Sequence, residues 1–156
     1  MEVTPSVGGL ATGMISVSKS FESLWIGWSG VDKENLSGEQ IKKVNKALKQ
    51  EECVDVNLTE EEVELYYEGF SNKTIWPLFH YFTQFVEYEE EQWQAYKRVN
   101  QKFADVIAEN MEGVDKIWVH DYHLLLLPQM IKEKFPDVTI GFFLHIPFPS
   151  YELFRI

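Results

Sequence analysis

Lys116-Ile117-Trp118-Val119-His120, then Leu124 to Phe135, then Val138-Thr139-Ile140-Gly141-Phe142-Phe143-Leu144 make up the stretch that decides the fold. The first and last runs are short and rich in β-branched and aromatic residues, which suits strands. The middle run is apolar and long enough for a helix. Strand, helix and strand in that order form a βαβ unit, which implies two parallel strands, a right-handed crossover and an α/β sheet covered on both faces. Pro128 limits the helix, because proline is comfortable only in a first turn; the helix starts later than Leu124 or bends there.

Working back from this unit, Trp93, Tyr96, Val99, Phe103, Val106 and Ile107 recur at steps near three and four and predict a long helix from Tyr88 to Met111. Before it, Thr59 and Glu62 form a capping box for a helix reaching Tyr66 and Tyr67, with glutamates in its first turn that complement the helix dipole. The run Tyr66-Tyr67-Glu68-Gly69-Phe70-Ser71-Asn72 then reads as the end of that helix in a glycine-bearing loop. Cys53 to Leu58 and Leu24 to Trp28 are strand candidates, the latter ended by Ser29-Gly30 and followed by a polar loop from Asp32 to Ser37. Between them Ser37 and Gln40 make a second capping box for a helix through Lys49, whose Lys42, Lys43, Lys46 and Lys49 read as a solvated face. At the start, Gly8-Gly9-Leu10-Ala11-Thr12-Gly13 forms a glycine turn leading into a helix through Met14, Ile15, Val17 and Phe21. No internal repeat or low-complexity tract interrupts the chain.

The bulk composition narrows the function classes. At 156 residues and 45% hydrophobic content, the chain has the apolar surface for one ordinary core. Acidic residues outnumber basic ones by 25 to 14, and a net charge of -11 gives no broad attraction for nucleic acid or anionic lipid. Any phosphate must therefore be held locally. The single cysteine, Cys53, reads as a buried small hydrophobe in a reducing compartment rather than as a catalytic thiol. No apolar stretch approaches the roughly 18 residues of a membrane span and no export signal opens the chain, so the cytoplasm is the expected location. Aromatics make up 15% of the residues and cluster near polar residues and glycines, a mixture that suits sugar binding and core packing alike.

In an open parallel sheet, ligands gather beyond the carboxyl ends of the strands, where loops vary freely and helix N-termini point. Asp121 follows the strand ending at His120, and His145 ends the strand through Leu144, just before Ile146-Pro147-Phe148-Pro149. Both strands belong to one βαβ unit, so the two side chains can approach one crevice. Asp121 reads either as a helix cap or as a carboxylate accepting hydrogen bonds from sugar hydroxyls. His145 reads either as a satisfied core histidine or as part of a site preorganised by its proline-rich surroundings. His120-Asp121-Tyr122-His123 does not read as a metal centre, because adjacent strand residues face opposite sides and no further ligand cluster completes a shell. Gly8-Gly9 ahead of a helix can cradle a phosphate through backbone amides or serve as a plain turn. Tyr66 to Asn72 with Trp76-Pro77-Leu78-Phe79-His80-Tyr81 is either a packed aromatic corner or a stacking wall, in which rings cover a sugar and Tyr67 offers a hydroxyl.

Gly8 to Gly13, Trp25-Ile26-Gly27-Trp28-Ser29-Gly30, Tyr66 to Asn72, Trp76 to Tyr81, Trp118 to His123 and Gly141 to Pro149 together resemble the trehalose-6-phosphate synthases in order and spacing. These are retaining glycosyltransferases of the GT-B type, with two Rossmann-like domains facing a cleft. The resemblance implies that this chain is the incomplete N-terminal, acceptor-side Rossmann-like domain, with the C-terminal donor-binding domain absent. It further implies that Gly8 and Gly9 approach the diphosphate of UDP-glucose, and that Trp28, Tyr67, Trp76 and Asp121 surround glucose 6-phosphate. His145 would lie against the transferred glucose. The implied reaction retains the anomeric configuration by a front-face route in which the leaving diphosphate helps deprotonate the acceptor hydroxyl. It needs no protein nucleophile, metal or other cofactor.

The family chain is longer, and it opens with a strand carrying an arginine for the acceptor phosphate, which Met1 to Val7 does not supply. The expectation is therefore that the 156-residue chain alone is inactive. The expected partners are the small molecules UDP-glucose and glucose 6-phosphate, with neither nucleic acid nor membrane. Homo-oligomerisation and a following phosphatase domain are both compatible with the sequence. A sister activity on another phosphorylated acceptor, such as glucosylglycerol-phosphate synthesis, and a noncatalytic sugar-phosphate sensor are the competing readings.

Overall fold

A computed structural model of the chain describes residues 22–31, 33 and 36–155. The glycine turn at 8–13, the helix expected after it and the expected site residues Gly8 and Gly9 lie outside the described residues. The chain divides into two compact units, Met1–Asn57 and Leu58–Ile156.

In the first unit, β1 (Trp25–Gly27) and β2 (Cys53–Asp55) pair in parallel with Ile26 opposite Val54. The connecting helix α1 (Gly38–Gln50) begins as its capping box requires: the Ser37 amide donates to Gln40 Oε1 at 2.9 Å and the Gln40 amide to Ser37 Oγ at 3.4 Å. Its four lysines are exposed and Val44 is buried, the division the sequence predicts. β2 is shorter than the expected run to Leu58, although one further rung joins the Val56 amide to the Gly27 carbonyl at 2.9 Å. Past β1, the Ser29 amide donates to Asp55 Oδ1 at 2.8 Å, and Lys33 Nζ lies 2.6 Å from Asp55 Oδ2. Asp55 therefore ties the β1 loop to the end of β2. Cys53 is half-buried rather than buried; burial, reinforced by Glu51 and Glu52, raises its thiol pKa and makes it a poor nucleophile.

The second unit opens with one continuous helical run. A capping box at Thr59 and Glu62 starts α2 (Glu60–Glu62), which widens into a π-helix (Val63–Ile75) and returns to α-helical geometry in α3 (Trp76–Phe79). The glycine-bearing loop expected around Gly69 is thus a helix interior. A Cβ at Gly69 would stand 2.8 Å from Gln92 Cδ, so this glycine serves the close approach of a neighbouring helix and not a turn. That neighbour is α4 (Glu90–Glu109), whose Ala95, Tyr96, Val99, Asn100, Phe103, Ala104 and Ile107 are buried along one face. Trp93 and Val106, expected in that stripe, are half-buried.

The βαβ unit forms as read. β3 (Lys116–His120) and β4 (Thr139–Phe143) are parallel, with Lys116 opposite Thr139 and His120 opposite Phe143. A 3-10 turn over Tyr122–Leu124 precedes α5 (Leu127–Lys134), which puts Pro128 in the first helical turn, where its missing N–H costs nothing. The short α6 (Tyr151–Phe154) follows. The parallel pairing and the flanking helices match the expected α/β class, with two features of their own. Among the described residues each unit carries one two-stranded parallel ladder. Covering of both faces is also incomplete: Val119 is buried, whereas Trp118 and Phe143 are each 50% exposed. Among the described residues no helix is long and apolar enough to cross a membrane.

Candidate active site

The register of β3 and β4 brings the residues just past their ends to one edge of the ladder. The Asp121 amide donates to the Phe143 carbonyl at 2.8 Å, extending the pairing by one bond. The Asp121 carboxylate then accepts through Oδ1 from the Tyr122 amide at 2.9 Å and from the His145 amide at 3.4 Å. The Asp121 carboxylate therefore reaches the His145 backbone, and its bond to the Tyr122 amide is the capping contact. The backbone carries a further signal, because Asp121 has φ 73° and ψ 167°. That region is open essentially to glycine alone, and a side chain held there costs about 1–3 kcal/mol.

The His145 ring meets a second imidazole. His120 Nδ1 and His145 Nε2 are 3.1 Å apart and the ring centroids 5.4 Å apart, with Trp118 packed beside His120 and Phe143 beside His145. Burial lowers the pKa of His120, the neighbouring His145 adds to that effect and Asp121 opposes it. Among the described residues no three His, Cys, Asp or Glu side chains stand close enough to hold a metal ion.

Tyr67 is tied to the same turn through His123, which the sequence reading gave no role. The Tyr67 ring stacks on His123 at 5.0 Å and an interplanar angle of 8°, and His123 packs against Tyr122 at 4.0 Å. One face of Tyr67 is thus fixed while 39% of the residue stays exposed. Burial pushes His123 down to about 4, opposed by Asp121, and raises Tyr122 to about 12. The Tyr122 hydroxyl donates to Asn72 Oδ1 at 2.9 Å, linking the turn back to the π-helix.

Trp76 lies further along that helical run, on a stack of its own. Its ring centroid is 4.1 Å from that of His80, whose Nδ1 is 2.7 Å from the Trp76 carbonyl oxygen, and 37% of Trp76 is exposed. Trp28 belongs to the first unit, directly after β1, and is 40% exposed. Of the expected site residues in the second unit, Asp121, His145 and Tyr67 are joined by described contacts. His120 is what the sequence reading passed over. The signal was present, since Trp118 and His120 stand two apart on a strand and must share a face.

The parallel βαβ unit defines an α/β domain that carries Asp121 and His145 at the carboxyl ends of its strands. The family model described as glycosyltransferase family 20 matches residues 1–156. The chain belongs to glycosyltransferase family 20. It is 46% identical over 156 residues to an Aspergillus niger alpha,alpha-trehalose-phosphate synthase (UDP-forming), covering 97% of this chain and 30% of that one. An E. coli structure bound with UDP-2-fluoro glucose superposes with TM-score 0.79 at 34% identity, over 99% of this chain and 33% of that one. A Burkholderia xenovorans alpha,alpha-trehalose-phosphate synthase (UDP-forming) in complex with glucose-6-phosphate gives TM-score 0.73 at 32% identity, over 97% and 33%. The chain thus spans a third or less of the length of these relatives.

Proposed function

We propose that this chain is the acceptor-side part of a trehalose-6-phosphate synthase, transferring glucose from UDP-glucose to glucose 6-phosphate with retention of configuration. The observation that carries the reading is Asp121, a carboxylate kept in a strained backbone geometry at the ligand edge and joined to His145. Strain of this kind persists only where the surrounding structure over-determines it, and such residues cluster at functional sites.

Asp121 accepts hydrogen bonds from the acceptor sugar through the oxygen its backbone partners leave open, while His145 bonds a hydroxyl of the donor glucose. Tyr67 and Trp76, exposed on one side and stacked on the other, form part of the acceptor wall. The leaving diphosphate takes the acceptor proton, so the protein contributes orientation and electrostatics and no nucleophile. No metal enters the scheme, and the setting is the cytoplasm. For Trp28, Gly8 and Gly9 the family resemblance alone supports an assignment to acceptor and donor diphosphate.

The test uses a full-length synthase carrying this segment, because the segment spans 30% of the Aspergillus niger relative. UDP release from UDP-glucose is measured with glucose 6-phosphate, then with glycerol 3-phosphate. Glucose 6-phosphate is expected to support turnover, and Asp121→Ala to reduce it by a factor of about 100 or more. Turnover only with the smaller acceptor, or an undiminished Asp121→Ala enzyme, overturns the proposal.

A further inference from the structure

The contact between the His120 and His145 rings is a nitrogen to nitrogen hydrogen bond at 3.1 Å, and it imposes a rule on both. Each neutral imidazole has one donor and one acceptor nitrogen. Two protonated nitrogens at this distance repel, and two bare ones make no bond. One shared proton must lie between His120 Nδ1 and His145 Nε2. If His120 supplies it, the proton of His145 sits on Nδ1 and that atom donates; if His145 supplies it, His145 Nδ1 is a bare acceptor.

The surroundings keep the pair in register. His120 is held on β3 directly opposite Phe143, the Phe143 ring packs on His145, and the His145 amide is fastened to Asp121 Oδ1. Trp118 packs on His120 from its own strand. Among the described residues, His145 and Asp121 are charged or titratable groups that bear on His120.

We infer that His120 is a positioning residue that couples the tautomer of His145 to its own and thereby decides which hydrogen-bonding character His145 offers a sugar hydroxyl. The inference rests on the proposed role of His145 at the donor glucose. Without His120, the His145 ring is free to exchange tautomers and to turn, and only a fraction of molecules present the productive nitrogen.

The test has two independent readouts on a full-length synthase carrying this segment. The first is ring 15N NMR with histidine-selective labelling, the His145 signals being assigned through His145→Gln. The parent is expected to show His145 as a single tautomer, and His120→Phe a mixture of both. The second is steady-state transfer. His120→Phe is expected to lower kcat about tenfold, the worth of one misaligned hydrogen bond, with KM for glucose 6-phosphate within twofold. His120→Asn, whose amide can stand near the place of Nδ1, is expected to restore kcat to within about threefold. Unchanged His145 ring shifts in His120→Phe overturn the tautomer assignment whether or not the protein transfers glucose. A single His145 tautomer lost in His120→Phe with no effect on kcat overturns the positioning role. Should His120→Phe fail to fold, His120→Asn carries both readouts, and a His145 tautomer mixture with unchanged kcat in it is the refuting result.

Discussion

Replacing Asp121 by glycine and by alanine separates the cost of its backbone from the worth of its carboxylate. Both variants lose the bond to the Tyr122 amide at 2.9 Å and the longer one to His145 at 3.4 Å. The first, made to a charged group, is worth about 1.5–3 kcal/mol, and the second is long enough to add less. Alanine also keeps the unfavourable φ of 73° and its penalty of about 1–3 kcal/mol, which glycine does not pay. Against this, glycine loosens the unfolded chain by about 0.4–1 kcal/mol. The glycine variant should therefore be more stable than the alanine variant by about 1–2 kcal/mol, reversing the usual order of these residues. For a chain of 156 residues that is about 2–8 °C in Tm. Urea unfolding followed by tryptophan fluorescence measures it directly. Asp121→Asn, which keeps an acceptor and the same side-chain shape, should lie nearest the parent in stability. An alanine variant as stable as the glycine variant would refute the strain reasoning, and with it the main physical support for a site at this turn.

Two further outcomes follow from the packing around this turn. His123 is neutral in the folded chain because burial lowers it to about 4, whereas unfolded histidine titrates near 6.5; between these values the unfolded state binds the extra proton, so the contribution of His123 to stability falls as pH drops from about 6.5 to about 4 and is fully lost below. The total is about 3 kcal/mol, and His123→Phe, which keeps a ring against Tyr67, should flatten that part of a pH series of urea midpoints; an unchanged slope rejects the assignment. Gly69→Ala should destabilise the parent by about 1 kcal/mol because its Cβ meets Gln92, yet stabilise a Gln92→Ala background by about 0.5–1 kcal/mol through helix propensity, and a double-mutant cycle showing no coupling would mean the two helices part without cost.

The parts of this fold that local chemistry dictates were readable in advance. The capping boxes at Ser37 and Thr59 have one geometric solution each, and both form with their reciprocal bonds. The β3 and β4 runs alternate or pack with little freedom, so their parallel pairing and the meeting of Asp121 with His145 followed from the βαβ rule. Gly69 misled because a glycine signals a turn or a close contact equally well, and only the facing Gln92 decides between them. The π-helical widening of Val63–Ile75 has no marker in its residue types. His120 gives no local sign of its partner, because His145 lies 25 residues on, just past the end of β4. The positive φ of Asp121 was equally hidden, since aspartate gives no sign that its backbone occupies glycine's region.

What holds that strained residue in place is visible in α4. The Tyr96 hydroxyl donates to the Tyr122 carbonyl at 2.6 Å and accepts from the Leu125 amide at 3.1 Å, so it is bonded in both senses to the turn that follows Asp121. One helical turn along, Asn100 Nδ2 donates to the His123 carbonyl at 3.1 Å and to the Tyr96 carbonyl at 2.9 Å. Tyr96 is 1% exposed and Asn100 is fully buried, so neither bond can be exchanged for water without leaving a buried polar group unpaired, at about 1–3 kcal/mol each. On the other flank the Asp121 amide is fastened to β4 through the Phe143 carbonyl. Relaxing φ at Asp121 would have to break one of these anchors, and each costs as much as the strain it would relieve. The helix face that reads in sequence as an apolar stripe therefore carries two polar residues with a specific task. They hold the turn that fixes the carboxylate at the end of β3.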